Sequence, residues 1–244
     1  MAGSQADIEI RQLFQLAEFE EVLALQKNIW SFADIELLPL RFLVVVSKVG
    51  GHVFGAYDGP RMIGFCFAIP GIKPEGRPYL HSHMLGVLPE YRNAQIGRKL
   101  KLRQREDALA RGIQLIEWTF DPLELKNAFL NIEKLGAIVR RYNENQYGTT
   151  SSPLHGGLPT DRCIAEWWIA TPRATGDRPQ RREILERISY PTDIARIREL
   201  DPDRARAIQK ENARKFVESF ARGLAVTGFE RTENAGTYLL EPWQ

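Results

Sequence analysis

The segment between residues 53 and 135 alternates between strand-like and helix-like hydrophobic patterns, and this order restricts the folds that the chain can adopt. Two apolar runs, 53–57 and 62–69, flank the turn sequence Asp58-Gly59-Pro60 and predict a β-hairpin. A strand, a helix, a strand and a helix are predicted to follow, at 79–87, 96–111, 115–120 and 122–135. This order predicts a mixed α/β fold in which helices flank a mixed central sheet.

Further strands and helices are predicted on both sides of this segment. Before it we predict one strand and two helices, at 8–13, 17–30 and 39–49. After it we predict two strands, at 137–142 and 163–170, which are joined by the long polar loop 143–161. The stretch 171–182 has two prolines, four arginines and no large apolar residue, which indicates a linker. We therefore predict a main domain over 1–172 and a small C-terminal α+β appendage over 173–244.

Composition limits the function classes. The 244 residues are 43% hydrophobic, so a sizeable core is expected. The net charge is only +2, which does not indicate a nucleic-acid-binding protein. No apolar run approaches the roughly 20 residues of a membrane span, and no secretory signal is visible, which favours a cytoplasmic protein. The two cysteines, Cys66 and Cys163, lie in apolar segments and predict neither a disulfide framework nor a metal site.

The connection between the strand at 79–87 and the helix at 96–111 predicts an anion site. The first N–H groups of a helix have no partner inside the helix and lie at the positive end of its dipole, so they stabilise an anion. Small residues at this connection would let a pyrophosphate approach the backbone. Three basic side chains add positive charge there: Arg92, Arg98 and Lys99.

The run Pro89-Glu90-Tyr91-Arg92-Asn93-Ala94-Gln95-Ile96-Gly97 resembles the signature of the GNAT superfamily of acyltransferases, roughly Pro-Glu-Tyr-Arg-Gly-x-Gly-Ile-Gly. It departs from that signature at the middle glycine, which is Gln95. The resemblance spans about residues 8–170 and implies acetyl-CoA or another acyl-CoA as cosubstrate. It also implies that the strand end Leu85, Gly86 and Val87 pairs with the pantetheine arm. The pyrophosphate would then be bound by Arg92, Asn93, Ala94, Gln95, Ile96, Gly97, Arg98 and Lys99.

A second match covers residues 127–137 and resembles the helix that precedes the sixth strand of the family. It implies that Asn127 and Asn131 contact the cofactor. The family's tyrosine at this helix, which in many members protonates the leaving thiolate, is replaced by Ile132. Another group or solvent must then supply the proton, and Tyr147 in the loop 143–161 is one candidate.

Two histidines lie on the strand that leads into the anion turn. His81 and His83 are two residues apart, so both project from one face of a strand. An imidazole titrates near neutrality and can take the proton from an amine. The run from His81 to Val87 is similar to that of the arylalkylamine N-acetyltransferase branch, which implies a base role for the pair. Glu117 on the next strand is a second candidate base, acting through water.

We therefore expect transfer of an acyl group, acetyl above all, from acyl-CoA to a primary amine by direct attack. His81 or His83 would be the general base, no metal would be needed, and acyl-CoA would dock between strands 79–87 and 115–120. One alternative is a non-catalytic acyl-CoA-binding or regulatory module. Another is a scaffold that forms a homodimer through its tail. Asp161 and Arg162 are predicted to form an internal salt bridge.

Overall fold

A computed structural model of the protein describes residues 8–148, 156–178, 180 and 183–243. Contacts between residues divide the chain into two compact units, Met1–Ile116 and Glu117–Gln244. Each unit combines a sheet with helices packed against it, so the predicted mixed α/β class is confirmed. Residues 173–244 belong to the second unit together with the strands before them; the predicted domain boundary after residue 172 stays a prediction.

The first unit contains four strands in the order β1-β2-β3-β4, each antiparallel to its neighbour. The strands are β1 (Glu9–Gln12), β2 (His52–Asp58), β3 (Arg61–Ile72) and β4 (Pro78–Val87). Its helices are α1 (Leu16–Trp30), α2 (Leu40–Lys48) and α3 (Ile96–Ala110), with short 3-10 turns at Asp34–Glu36 and Pro89–Tyr91. The strand β5 (Leu115–Phe120) begins at the end of this unit.

The β2–β3 hairpin follows the predicted turn, where Gly59 has a φ of 56° that disfavours a side chain. The β3–β4 hairpin is longer than predicted, because β3 continues through Pro70 and Gly71, which face Leu80 and Tyr79. Strand β3 therefore ends later than the strand predicted at 62–69, and β4 begins one residue before the strand predicted at 79–87. The proline ring removes one donor, but the strand continues past it as an extended backbone.

The core of the first unit lies between its sheet and its helices. Helices α1 and α2 contribute apolar side chains at helical spacing, and β2 and β3 contribute a nearly continuous apolar run. Burial of these side chains supplies most of the favourable free energy of this unit. Fully buried members include Phe19, Val22, Leu43, Val53, Phe54, Ile63, Phe65, Phe67 and Leu100.

The second unit contains the strand order β5-β7-β6-β9-β10-β8. The strands after β5 are β6 (Ile138–Asn143), β7 (Arg162–Trp168), β8 (Glu186–Pro191), β9 (Leu224–Arg231) and β10 (Ala235–Pro242). The helices are α4 (Leu125–Ala128), which continues as a π-helix (Phe129–Lys134), α5 (Pro172–Thr175), α6 (Ile194–Leu200) and α7 (Pro202–Ala221). Strand β9 pairs with β6, so the C-terminal strands extend the sheet formed by β6 and β7.

Three details of this unit differ from prediction. The helix predicted at 122–135 is a short α-helix followed by a π-helix, and α6 was not predicted. The stretch predicted as a linker contains α5, and Arg173 in it donates to the carbonyl of Gly136 at 3.1 Å. Arg178 in the same stretch pairs with Glu133 at 2.8 Å; Pro179, Arg181 and Arg182 lie outside the described residues.

Aromatic side chains pack α7 against the sheet of the second unit. Phe216 of α7 stacks on Tyr142 of β6, with ring centroids 5.2 Å apart, and meets Tyr238 of β10 edge to face at 5.2 Å. Residues of the C-terminal appendage therefore share a core with the preceding strand β6 of the second unit. Across the described ranges, no helix has the length and apolarity that a membrane crossing requires.

Candidate active site

A β-bulge in β4 places the two histidines beside each other. Phe67 of β3 faces Met84 and the next residue, Ala68, faces Ser82, which leaves His83 as the extra residue of β4. The rings of His81 and His83 lie with their centroids 5.9 Å apart. The predicted common face is therefore observed, and the two imidazoles are neighbours on it.

The surroundings of the pair keep both rings uncharged near neutral pH. Burial lowers the pKa of His81 to about 4, with smaller contributions in the same direction from His83, Lys101 and Lys73. Burial also lowers the pKa of His83, whose ring lies 5.4 Å from that of Phe67. His81 is half-buried whereas His83 is exposed. An uncharged imidazole can accept a proton, and His83 is the more accessible of the two.

A buried polar cluster lies behind the histidines, on the face of β4 that packs against α3. The Nζ of Lys101 donates to the Oγ of Ser82 at 2.7 Å, and this hydroxyl donates to Gln104 at 2.8 Å. Burial lowers the pKa of Lys101 to about 7. The sequence analysis did not identify Lys101. Its spacing from Gln104 and Ala108 puts it on the buried face of α3, which is the signal that could have revealed it.

The turn after β4 is anchored to the β2–β3 hairpin. Glu90 accepts from Arg61 at 2.7 Å, and the hydroxyl of Tyr91 donates to Asp58 at 2.7 Å. Two residues of the Pro-Glu-Tyr-Arg motif thus contact the neighbouring hairpin, and they hold the turn that leads to α3 against it.

The start of α3 leaves backbone amides available in front of the helix. The first intrahelical hydrogen bond runs from the amide of Lys99 to the carbonyl of Gln95 at 2.9 Å, so the amides of Ile96, Gly97 and Arg98 precede it. Gly97 presents no side chain, and a Cβ there would lie 3.4 Å from Leu85. The residues predicted to bind the cofactor within Arg92–Lys99 therefore surround a helix N-terminus, with Arg92 and Lys99 exposed.

Two residues of this turn adopt the left-handed conformation. Asn93 has a φ of 69° and Gln95 a φ of 61°. Both stand where the signature has glycine, so an asparagine and a glutamine here adopt a conformation that ordinarily favours glycine. The strand residues before the turn, Leu85 to Val87, pair with β3. A Cβ on Gly86 would lie 2.8 Å from the end of the Ile29 side chain of α1, which would have to shift.

The sequence model of the acetyltransferase (GNAT) family matches residues 10–136, more than half of the chain. The chain belongs to the GNAT acetyltransferase family. The family supports acyl transfer from acetyl-CoA as the general activity of the protein. Among curated protein sequences, none matches this chain.

Solved structures of GNAT proteins share the fold. The ribosomal-protein-S18-alanine N-acetyltransferase from Escherichia coli is similar with a TM-score of 0.52 and 16% identity, over 67% of this chain and 95% of that one. NAA60 from Arabidopsis thaliana, in complex with a bisubstrate analogue, gives 0.54 and 14%, over 66% and 97%. A GNAT-family acetyltransferase from Streptococcus pneumoniae gives 0.54 and 14%, over 66% and 98%. At these identities the likeness concerns the fold.

The second GNAT match lies on α4 and the π-helix. Ile132, at the position of the family tyrosine, is fully buried and cannot donate a proton. Asn127 is exposed, whereas Asn131 is buried, with its carbonyl accepting from Ala137 at 2.9 Å. The two asparagines thus occupy different environments, and their predicted contact with the cofactor stays a prediction.

The other two predicted catalytic residues, Glu117 and Tyr147, lie in the second unit. Glu117 is buried and pairs with Arg141 at 2.5 Å, and its predicted role as a base acting through water stays a prediction. Tyr147 is 47% exposed, and its hydroxyl lies 3.0 Å from the Oγ of Thr119 on β5. The guanidinium of Arg162 lies over its ring, 5.4 Å from the centroid, and the predicted role of Tyr147 as the acid stays a prediction.

The predicted salt bridge between Asp161 and Arg162 was wrong. The carboxylate of Asp161 accepts from the hydroxyl of Tyr142 at 2.7 Å and from the amide of Asn145 at 2.9 Å. Arg162 donates to the backbone carbonyl of Asp161 and lies 3.9 Å from Asp121. The two side chains therefore have different partners, although the residues are adjacent in the sequence.

Proposed function

We propose that this protein transfers an acyl group from acetyl-CoA, or another acyl-CoA, to a primary amine by direct attack of the amine. The observation that carries this proposal is the bulge of β4, which holds His81 and His83 together shortly before the start of α3. A base and an anion site are thereby built into one continuous strand–turn–helix segment. The acyl-CoA is a substrate that the chain's residues would bind and orient.

The amine must lose a proton before it can attack, because an ammonium has no free electron pair. His83 is the better candidate for the base, since a pKa of about 4 makes His81 a weak acceptor for that proton. His83 is also the exposed member of the pair. His81, held uncharged beside it, would keep the site free of a competing positive charge.

The carbonyl oxygen of the thioester gains negative charge during attack. Backbone N–H groups at Leu85 to Val87 are the proposed donors, since fixed dipoles stabilise such charge without reorganisation. The amides of Ile96, Gly97 and Arg98, with the basic side chains around them, would bind the pyrophosphate.

The thiolate that leaves must regain a proton. With Ile132 buried at the usual position, we assign this role to Tyr147, whose hydroxyl is placed by Thr119. A phenol carries an O–H that it can donate, and the thiolate that accepts this proton leaves as the thiol of CoA. The buried Ile132 also favours a second candidate function, acyl-CoA binding without turnover, which predicts binding but no transfer to any amine.

The test is calorimetric titration of the protein with acetyl-CoA, followed by CoA release with a panel of arylalkylamines, polyamines and amino-acid amides. Gly97→Trp should abolish measurable binding, because an indole would cover the amides at the helix start. Ala110→Trp, at the exposed far end of α3, is the matched control and should bind normally. Absence of acetyl-CoA binding by the unmodified protein would contradict the proposal.

The same panel tests the base. His83→Gln should lower kcat about a hundredfold at neutral pH, and His81→Gln should lower it less, because general base catalysis contributes roughly that much. Binding without release of CoA for every amine would favour the non-catalytic alternative. Equal, full activity of both histidine variants would show that the base lies elsewhere.

A further inference from the structure

The two described arms of the loop between β6 and β7 are hydrogen-bonded to each other. The amide of Gln146 donates to the carbonyl of Thr160 at 3.0 Å, and the amide of Tyr147 donates to its Oγ at 2.9 Å. Thr160 Oγ in turn donates to the carbonyl of Gly148 at 2.9 Å, and Asn145 Oδ1 accepts from the Thr160 amide at 3.2 Å. Thr160 is fully buried, so its position fixes the backbone of Tyr147.

The second arm is held from outside the loop by helix α7. The side-chain amide of Gln209 donates to the carbonyl of Pro159 at 2.9 Å. Gln209 is buried, and its Oε1 has no hydrogen-bond donor among the described residues. Gln209 therefore contacts the loop through the nitrogen of its side-chain amide. Arg206, one turn earlier on α7, reaches the carbonyl of Gly157 at 3.4 Å.

A continuous chain of contacts then leads from α7 to the hydroxyl of Tyr147. Gln209 holds Pro159, the adjacent Thr160 holds the Tyr147 amide, and Thr119 holds the Tyr147 hydroxyl. Helix α7 itself is fixed to the sheet by the stacking of Phe216 on Tyr142. A phenol on a partly exposed loop needs such support, because a donor displaced by an ångström loses much of its effect.

We propose that Gln209 is a positioning residue for Tyr147. The C-terminal appendage, residues 173–244, would serve the transfer reaction because its helix α7 holds the described arms of the β6–β7 loop. This inference rests on the proposed role of Tyr147 as general acid. The segment after residue 172 would then contribute to catalysis by the chain to which it belongs. Gln209 does not touch the reacting atoms and acts through Pro159 and Thr160.

The experiment compares Gln209→Leu with Asn212→Leu in the full-length protein. Asn212 is the matched control: it is a buried amide on the same helix, and it donates to a backbone carbonyl at 2.9 Å, that of Ser189 on β8. Hydrogen exchange of the segment 145–147 is measured by mass spectrometry. Each of its amides bonds to the second arm, so Gln209→Leu should speed their exchange about tenfold, the effect of losing roughly one hydrogen bond. Asn212→Leu should leave it unchanged.

Kinetics supply a second readout, with acetyl-CoA and the panel amine that is acetylated fastest. Gln209→Leu should lower kcat about threefold to tenfold without changing the KM for acetyl-CoA, as expected for misplacement of one acid. In Tyr147→Phe, the added Gln209→Leu change should have no further effect on kcat, since both act through one hydroxyl.

The outcomes separate the two proposals. Unchanged exchange of 145–147 in Gln209→Leu, or equal acceleration in Asn212→Leu, overturns the positioning role. If Tyr147→Phe keeps full kcat, the acid role is wrong and the catalytic purpose of Gln209 falls with it, whatever the exchange shows. Faster exchange together with non-additive losses of kcat supports the inference.

Discussion

The turn that precedes α3 and the loop that joins β6 to β7 both present candidate catalytic or binding groups, but they are held by contacts of different range. The turn owes its form to two left-handed residues, Asn93 and Gln95, and to bonds with the nearby β2–β3 hairpin. The loop owes its form to Thr160 and to Gln209, which lies 50 residues along the chain from its partner. Part of the form of the turn is therefore set by the backbone of its own residues, whereas the described arms of the loop are held by bonds to other segments.

Two glycines that end helices also differ in whether a distant segment contacts them, and their alanine variants should show the largest effect on stability. Gly112 after α3 has a φ of 73° and an added Cβ would meet nothing within 4 Å. Gly136 after the π-helix has a φ of 75°, and its Cβ would lie 2.3 Å from the carbonyl oxygen of Arg173. Gly112→Ala should cost about 1 kcal/mol of unfolding free energy, from backbone strain alone. Gly136→Ala should cost about 3 kcal/mol or more, because the backbone must also move.

Urea denaturation followed by circular dichroism measures both variants. Equal losses for the two alanines would show that the contact of Gly136 with Arg173 does not constrain the second unit. The Arg173→Ala variant is the further control, since it keeps the backbone carbonyl that Gly136 meets. The steric cost of Gly136→Ala should persist in that background.

Helix α3, which follows the turn, has one contact with a distant segment: Lys101 is buried beneath β4. Its pKa is lowered from an ordinary 10.5 to about 7 in the folded state. Between these values the unfolded chain binds a proton that the folded chain does not, so this group makes stability rise with pH. The slope from this group approaches about 1.4 kcal/mol per pH unit. Lys101→Met should remove that slope.

Stability should be measured between pH 7 and about pH 8.5, because ionisation of thiols in the unfolded chain begins to matter above that range. Burial raises the pKa of Cys66 to about 12, which makes stability fall with pH there. Lys99→Met, at an exposed position of the same helix, controls for the loss of one charge. A slope that survives in Lys101→Met would mean that the amine is hydrated in the folded protein.

The sequence predicted the order of the elements well where patterns are strong, as in α3, β5 and the β2–β3 hairpin. Histidines two residues apart on a strand were expected on one face, and the bulge at His83 keeps them there. What pattern could not reveal is pairing between distant segments. The partners of Asp161, Glu117 and Arg173 depend on how β6, β7 and α5 come together, and neither periodicity nor spacing encodes those contacts.

The partners of Lys101 and Gln209 could not be predicted either. Both residues are buried polar side chains on helices whose other residues fit an ordinary amphipathic pattern. A lysine or glutamine on a buried helical face is the one signal that the sequence offers for such groups. It identifies the residue without identifying its partner.

The smallest expected effect concerns Gln95 and tests whether the turn is determined locally. A non-glycine residue at a φ of 61° is strained. Glycine would relieve that strain while adding freedom to the unfolded chain, for a net gain of about 0.5 kcal/mol. Asn93→Gly should gain less, because asparagine tolerates this conformation. Ala94→Gly, between them and outside the residues of positive φ, should lose stability by a similar amount.

Thermal denaturation of the three variants resolves these differences, and acetyl-CoA titration of each completes the test. Affinity should stay within about threefold of the unmodified protein, because the backbone amides keep their directions. A loss of stability in Gln95→Gly would mean that the Gln95 side chain contributes a contact that outweighs its strain. In that case the turn before α3 would depend on its surroundings as the β6–β7 loop does, and the contrast between the two regions would disappear.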